Sequence, residues 1–139
     1  MTRRKSRVIA FQAVYSWDVG KVSLDDLLKF EWVEEITPED EPNLAFSRLL
    51  IAGTIENIEE IDAAIKSHLS PKWDFNRLNK VSLAILRISI FCLFHQRDTH
   101  SSIVIDEAVG IAKEYGADDS YKFINGLLDT VAKSLPEQK

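Results

Sequence analysis

The sequence predicts an all-α protein of about seven helices. Apolar residues recur at intervals of three and four along most of the chain, which is the spacing of one face of a helix. No segment alternates apolar and polar residues over a useful length, as a half-buried strand would. Prolines and glycines interrupt the pattern where helices are expected to end. The length of 139 residues fits one domain.

The first predicted helix runs from about Arg4 to Asp18. Ile9, Ala13 and Trp17 share one of its sides, and further apolar residues lie on a second side, so we expect much of this helix to be buried. Gly20 is the expected end, because glycine is a poor helix former.

A second helix is expected to follow Ser23, whose hydroxyl suits an N-cap. Its predicted inner face consists of Leu24, Leu27, Leu28 and Trp32. The segment 31–41 then contains six acidic residues and no basic residue. Since Pro38 and Pro42 lie in or beside this segment, we predict a solvated loop.

A third, long helix is predicted from about Asn43 to Ser70, where Pro71 breaks it. Gly53 is interpreted as a point of close packing. The apolar stripe of this helix consists of Ile51, Ile55, Ile58, Ile65 and Leu69.

The central helix is predicted from Val81 to His95, after a short connecting segment that carries Trp73, Phe75 and Leu78. It is apolar on nearly all sides, which indicates a helix surrounded by others. Its longest apolar run has 14 residues, too few to span a bilayer.

Two further helices are predicted between Ile103 and Asp129, joined by a very short turn. Gly116 is expected to end the first of them in a left-handed conformation. The expected N-cap acceptors of the second are Asp118, Asp119 and Ser120. Gly126, inside the second helix, is interpreted as a point of close backbone approach.

Two charged residues border apolar faces and need partners. Arg87 lies inside the central helix, and Glu107 lies beside the buried face of the next one. A buried charge requires an opposite charge or hydrogen bonds, so we hypothesise an Arg87–Glu107 pair with a structural role. Asp106 and Glu107 point about 100° apart on a helix and cannot act as a catalytic carboxylate pair.

No pattern in the sequence indicates an enzyme, a metal site or a bound cofactor. Its three histidines are scattered, and no phosphate-binding loop or nucleophile elbow is present. Cys92 lies in the most apolar run and is interpreted as a core residue. A single cysteine and the lack of a signal-peptide pattern lead us to expect a cytoplasmic protein without a membrane segment.

The best functional signal is a cluster of cations at the start of the chain, the basic arm, formed by Arg3, Arg4, Lys5 and Arg7. The whole chain has a net charge of −5, and without the basic arm 13 basic residues remain against 22 acidic ones. Gln12 and Tyr15 follow on the same helix. Cations bind RNA phosphates, and amides and aromatic rings bind bases. A solvated, disordered N-terminus is the alternative interpretation.

A second candidate surface lies at the start of the last helix. Lys122 is expected to point outward, and Phe123 lies at the edge of the buried face. Phe123 is either a peripheral core aromatic or a stacking platform for a base.

Three segments resemble the NusB family of bacterial transcription antitermination factors. They are Gln12-Ala13-Val14-Tyr15-Ser16-Trp17, Leu86-Arg87-Ile88 and, most specifically, the stretch from Gly116 to Leu128. The resemblance extends from Arg3 to about Leu135. It implies one domain over residues 1–139, in which an N-terminal three-helix half (1–70) packs on a C-terminal helical half (71–139).

The resemblance also implies a function. Members of this family bind boxA-type RNA together with NusE, a small-subunit ribosomal protein, and join an antitermination complex on RNA polymerase, especially at ribosomal RNA operons. The positions that match the family's RNA-binding surface are Arg3, Arg4, Lys5, Arg7, Asp119, Lys122 and Phe123. Asp119 would either hydrogen-bond a base or restrain binding by repelling phosphate.

The NusE contacts implied by the resemblance are Tyr15 and Ser82. Ser82 departs from the family, because many relatives carry an acid there. Other departures are Cys92, His100 and Asp106, which stand where glutamate, proline and asparagine are frequent. These changes leave the fold prediction intact.

Two alternative functions remain open from the sequence. One is a helical protein–protein adaptor that does not bind RNA. The other is an accessory domain related to those that precede RNA methyltransferases, although this sequence contains no cofactor-binding βαβ pattern. A steep fall of RNA affinity with salt would distinguish RNA binding from the adaptor function.

Overall fold

The structure, a computed structural model, describes residues 1–138, and over these residues it is all-α, as predicted. The seven helices are α1 (Arg3–Val19), α2 (Leu24–Leu27), α3 (Glu41–Glu56), α4 (Ile58–His68), α5 (Lys80–His95), α6 (Ser101–Tyr115) and α7 (Ser120–Lys133). Two 3₁₀ turns, Pro38–Asp40 and Phe75–Arg77, precede α3 and α5. Among residues 1–138, none of the helices has the length and hydrophobicity that a membrane span requires.

Helix α5 lies at the centre of the molecule. Twelve of its sixteen residues are buried, and α1, α3, α4, α6 and α7 all pack against it. Among the outer helices, α1 packs on α3, and α6 packs on α7. The apolar run of α5 therefore has the surroundings that its sequence predicted.

Helix α1 begins and ends where its sequence indicates. The Thr2 hydroxyl accepts a hydrogen bond from the Lys5 backbone N–H at 3.0 Å, which caps the helix. Gly20 is the C-cap, and its N–H donates to the Ser16 carbonyl. The basic arm is thus held on a regular, capped helix from its first residue.

The second helix is shorter than predicted. Helix α2 ends at Leu27, because Phe30 adopts a left-handed backbone with φ 57° that cannot continue a helix. Trp32 therefore lies beyond the helix, 38% exposed, and its indole N–H donates to the Leu27 carbonyl at 3.0 Å. The prediction that Trp32 belongs to a helical inner face was wrong.

The predicted long third helix is two helices. Asn57, at φ −109° and ψ 23°, interrupts it between α3 and α4. The Asn57 side-chain amide donates to the Gly53 carbonyl at 2.7 Å and so competes with the helical backbone bonds. The expectation of close packing at Gly53 is confirmed, since a Cβ there would overlap the Phe91 ring of α5.

The α6–α7 pair differs from its prediction in three ways. Gly116 has φ −87°, and the left-handed residue is Asp119 with φ 63°. Gly116 is needed for space instead, because a Cβ there would lie 2.7 Å from the Ala112 carbonyl oxygen. The Asp119 side chain makes no capping bond. Gly126 marks no close approach, since a Cβ there would meet nothing within 4 Å.

The predicted Arg87–Glu107 pair does not form. Arg87 donates two hydrogen bonds of 2.9 Å to Asp62 of α4, and its Nη1 lies 3.2 Å from the Asp18 carboxylate of α1. Glu107 accepts from Arg4 instead. Arg87 occupies the side of α5 that α1 and α4 cover, whereas Glu107 of α6 meets the beginning of α1.

Candidate nucleic-acid interface

Two arginines of the basic arm lie on an aromatic ring of α3. The guanidinium carbons of Arg3 and Arg7 are 4.1 and 5.3 Å from the centre of the Phe46 ring. Such cation–π contacts hold the two guanidinium groups beside each other while their N–H edges can still donate. The arm is therefore an ordered pair of cations over Phe46, and not the disordered terminus of the alternative interpretation.

Arg4 has a different role. Its Nε donates to the Glu107 carboxylate, and its guanidinium covers Gly110 so closely that a Cβ there would lie 2.6 Å from Nη1. Arg4 consequently fastens α1 to α6. Its charge is compensated by Glu107, so it offers less to a phosphate than Arg3 or Arg7.

Lys5 and Gln12 face a groove of about 430 Å³ along α1, which we call the α1 groove. They lie two helical turns apart on one side of α1. The opposite wall includes Glu34 and Glu35 of the acidic segment. The groove thus places a cation and an amide, which can bind RNA, opposite two carboxylates, which would repel its phosphates.

One residue of the acidic segment is buried, although the sequence predicted a solvated loop. Asp40 is 8% exposed and accepts a hydrogen bond from the Thr37 N–H at 2.9 Å. It also lies 3.2 Å from the amine of Met1. The Thr37 backbone bond, followed by the interaction with the amine, lowers the pKa of the Asp40 carboxyl. The segment is therefore anchored next to the start of α1.

The stretch 116–123, which runs from the end of α6 through the first turn of α7 and which we call the corner, holds the other predicted residues. Lys122 Nζ lies 3.4 Å from an Asp119 carboxylate oxygen, and both side chains are largely exposed. Phe123 is half-buried against the core. Its ring centre is 5.1 Å from that of Trp73, with the planes tilted by 43°. Phe123 is thus a core-edge aromatic with an exposed aromatic neighbour.

Trp73 is the residue of this region that sequence reasoning missed. It is 48% exposed, although the sequence analysis placed it only in a connecting segment. Its position directly after the helix-breaking Ser70-Pro71 was the available signal, because binding residues occur disproportionately on loops.

The arm and the corner lie at different levels along α1. Arg4 contacts Glu107, whereas Phe11, seven residues later, contacts Tyr115 with ring centres 5.4 Å apart. Helices α1 and α6 therefore run in the same direction, and the corner follows the end of α6. Seven residues correspond to about 10 Å of helix. An RNA-binding platform that joined the basic arm to the corner would have to follow α1 over at least this distance. Such a platform stays a prediction.

The NusB family model matches residues 4–133, which include the basic arm from Arg4 onward, α5 and the corner. The chain belongs to the NusB family. A transcription antitermination protein NusB of Treponema denticola is 50% identical over 93% of this chain and 94% of its own length.

Solved NusB structures share the fold. T. maritima NusB is 36% identical, with a TM-score of 0.81 over 96% of this chain and 92% of that one. A chain in the crystal structure of the antitermination factors NusB and NusE in complex with dsRNA is 27% identical. Its TM-score is 0.82, over 97% of this chain and all of that one.

The two residues expected to contact NusE differ in accessibility in this NusB-family chain. Tyr15 of α1 is half-buried and retains accessible surface. Ser82 is 3% exposed in the first turn of α5, so its side chain presents almost no surface to a partner. A contact between Ser82 and NusE stays a prediction.

Among residues 1–138, no three histidine, cysteine or acidic side chains are grouped to hold a metal ion. Cys92 is 4% exposed, and burial raises the pKa of its thiol to about 11. A thiol protonated at neutral pH is a poor nucleophile.

Proposed function

We propose that this chain is a transcription antitermination factor that binds boxA-type RNA together with NusE. In this proposal it helps to load an antitermination complex on RNA polymerase at ribosomal RNA operons, in the cytoplasm. The observation that carries the proposal is the match over 97% of the chain to a structure that contains NusB, NusE and RNA. No catalytic role is part of the proposal.

The basic arm would bind the RNA backbone. Arg3 and Arg7 are pre-organised over Phe46, so little side-chain entropy is lost when their N–H groups meet phosphate oxygens. Lys5 and Gln12 would bind the strand at the α1 groove. We propose that Arg4 acts indirectly, by holding α1 on α6 through Glu107.

The corner would bind bases and phosphates farther along the strand. Phe123 offers an aromatic edge and Lys122 a cation. Because Lys122 is paired with Asp119, a phosphate must compete with this carboxylate, which favours a restraining role for Asp119. RNA bound to the chain and to NusE would be held near the polymerase at a raised effective concentration.

Tyr15 is retained as the proposed contact with NusE. It lies on α1, where one face is available to a protein. Ser82 remains a second proposed contact.

The test is a titration of boxA-type RNA with the chain alone and with the chain plus NusE. We expect weak binding alone and much tighter binding with NusE. The affinity should fall linearly with salt concentration on a double-logarithmic plot, because phosphates are neutralised by cations. Salt-independent or undetectable RNA binding, with NusE still bound, would favour the adaptor function.

A triple variant Arg3→Ala, Lys5→Ala, Arg7→Ala tests the site itself. It keeps the structural Arg4 and should lose most of the RNA affinity while its helix content stays unchanged. The matched control removes three exposed lysines elsewhere, namely Lys29, Lys80 and Lys133. Equal losses in the two variants would indicate a general charge effect and remove the basic arm from the site.

A further inference from the structure

A second groove lies on the molecule between the end of α4 and the beginning of α7. We call it the Trp73 groove, after its exposed aromatic wall. Its volume is about 260 Å³, and its lining includes His68, Trp73, Lys122, Phe123, Gly126 and Thr130. Drug-sized ligands occupy about 300–1,000 Å³, so this groove has the size for one small planar group.

The floor of the Trp73 groove is unusual for a helix. Gly126 lies inside α7 and is exposed, although glycine is among the least favourable residues within a helix. No neighbour requires its lack of a side chain, because a Cβ there would meet nothing within 4 Å. Its carbonyl accepts a hydrogen bond of 2.9 Å from the Thr130 hydroxyl. The space above Gly126 is therefore kept open without any intramolecular cause.

The walls of the groove are aromatic and its rim is polar. Trp73 is 48% exposed, and Phe123 supports it from the α7 side. Lys122 projects from the preceding position of α7 with much of its side chain exposed. His68 donates from Nδ1 to the Ala64 carbonyl at 2.8 Å, so its ring is fixed at the edge of the groove.

We propose that the Trp73 groove binds one unstacked base of the RNA. The base lies against the free face of the Trp73 indole and above Gly126, and Lys122 binds the adjacent phosphate. Stacking on an indole accepts any base, because every base has a π-face. A flat ring can stack on the aromatic wall while it lies over the open floor. This inference rests on the proposed RNA-binding function and adds Trp73 and Gly126 to its site.

The charge of the rim supports a nucleic acid over an apolar protein segment. Lys122 is exposed beside the aromatic pair, and the groove continues into the corner that contains Asp119 and Phe123. A phosphate that displaced Asp119 from Lys122 would place the attached base within reach of Trp73. The groove is thus continuous with the corner already proposed to bind RNA.

The deciding variant is Gly126→Ala, because it separates folding from binding. Alanine is a better helix former than glycine, and its methyl group has room at this position, so we expect a raised melting temperature. The methyl group occupies the floor of the groove, so the affinity for single-stranded boxA-type RNA should fall several-fold. Asn125→Ala, at the exposed neighbouring position, is the control and should leave RNA affinity unchanged.

Two variants test the aromatic wall. Trp73→Ala should weaken RNA binding by about five-fold or more, the range found when a stacking aromatic is removed, and Trp73→Phe should restore part of the loss. Stacking should also quench the tryptophan fluorescence when RNA binds. Trp73→Phe should lose the part of this quenching that arises at Trp73. It retains Trp17 and also Trp32, which lines the α1 groove and can still respond to RNA there.

The outcomes distinguish this inference from the function on which it rests. If the wild-type chain binds RNA and the Trp73 and Gly126 variants bind equally well, the groove is not a base site, although the proposed function stands. If the wild-type chain binds no RNA with or without NusE, both fail. If Gly126→Ala weakens binding of NusE in the absence of RNA, and RNA affinity of the isolated chain is unchanged, the groove belongs to the protein partner.

Discussion

At the scale of single residues, Arg87 shows how a buried charge joins helices. It is 6% exposed and lies between Asp62 of α4 and Asp18 of α1, at 2.9 and 3.2 Å. The Asp62 contact has two aligned hydrogen bonds. The Asp18 contact is a charge contact, since Arg87 Nη1 has no hydrogen bond among the described residues. Three helices therefore meet at one guanidinium.

Replacing Asp62 with alanine should destabilise the protein markedly. The variant leaves a buried guanidinium with only Asp18 as a partner. Breaking a buried pair costs about 3–5 kcal/mol, and because Asp18 remains we expect a loss near the lower end in the free energy of unfolding, measured with urea. Asp129→Ala removes an exposed pair with Lys133 and should cost about 0.5 kcal/mol or less. Similar losses in both variants would contradict this assignment.

Gly53 illustrates the opposite constraint, a lack of space. A Cβ at this position would overlap the Phe91 ring, and both residues are buried between α3 and α5. Gly53→Ala should lower the free energy of unfolding by about 1–3 kcal/mol, the usual cost of overpacking a core. Combining it with Phe91→Leu should cost less than the sum of the two single changes, because the leucine yields space. Strict additivity would show that the two residues do not meet.

Residue chemistry was predictable from the sequence, but residue partners were not. The need of Arg87 and Glu107 for opposite charges follows from their positions beside apolar faces. Their actual partners, Asp62 and Arg4, lie on helices whose rotation about their axes no single sequence reveals. The need for a glycine at Gly116 was likewise predicted, but for the wrong reason. The lack of space for a Cβ, and not a positive φ, requires the glycine.

At the scale of elements, the acidic segment influences the binding surface. Its Glu34 and Glu35 form the wall of the α1 groove opposite Lys5 and Gln12. The anchoring of Asp40 by the Met1 amine and by Thr37 holds this wall in place. An RNA strand that entered the groove would therefore approach two carboxylates at short range.

Removing these two charges should strengthen RNA binding. The double variant Glu34→Gln, Glu35→Gln keeps the shape of the wall and removes its repulsion of phosphate. We expect a few-fold gain in RNA affinity at low salt, which shrinks as salt screens the charges. The control, Glu56→Gln with Glu59→Gln, changes the same charge near the bend between α3 and α4. A gain of equal size in the control would show that net charge, and not the groove, is responsible.

The helices were predictable where the apolar pattern continues over many residues. The ends of the helices were less predictable than their existence. Helices α1, α5, α6 and α7 lie within a few residues of their predicted limits. Helix α2 ends early because Phe30 adopts a left-handed conformation, which bulky residues rarely do. The break between α3 and α4 depends on one side-chain amide, that of Asn57, and the apolar stripe continues across it.

At the scale of the whole molecule, α5 is the element on which all the long helices pack. Cys92 reports on the exposure of α5, because this cysteine is buried and the pKa of its thiol is about 11. Burial is the main cause of this raised pKa, and the nearby Arg7 offsets part of it.

Labelling of Cys92 should therefore measure global unfolding. In the native protein at mildly alkaline pH, a thiol reagent should react at a rate set by the population of the unfolded state. Destabilising variants such as Asp62→Ala should accelerate the reaction in proportion to that population. In urea, above the unfolding transition, labelling should be immediate. Fast labelling of the stable native protein would indicate a local opening of α5.

The central place of α5 could be predicted, because it is apolar on nearly all sides. The arrangement of the outer helices around it could not be predicted from composition and periodicity. For the same reason the residues of the arm and the corner were identifiable, whereas their separation along α1 was not. Trp73 was missed because a loop residue carries no periodic signal.

The position of α5 in the chain also has a consequence during protein synthesis. Helices α1, α3 and α4 leave the ribosome before α5, against which all three pack, has been made. A nascent chain halted before α5 would therefore expose to water the faces of these helices that pack on α5. Such a chain should be digested readily by protease and attract chaperones, and resistance should arise abruptly once α5 and the helices after it have emerged.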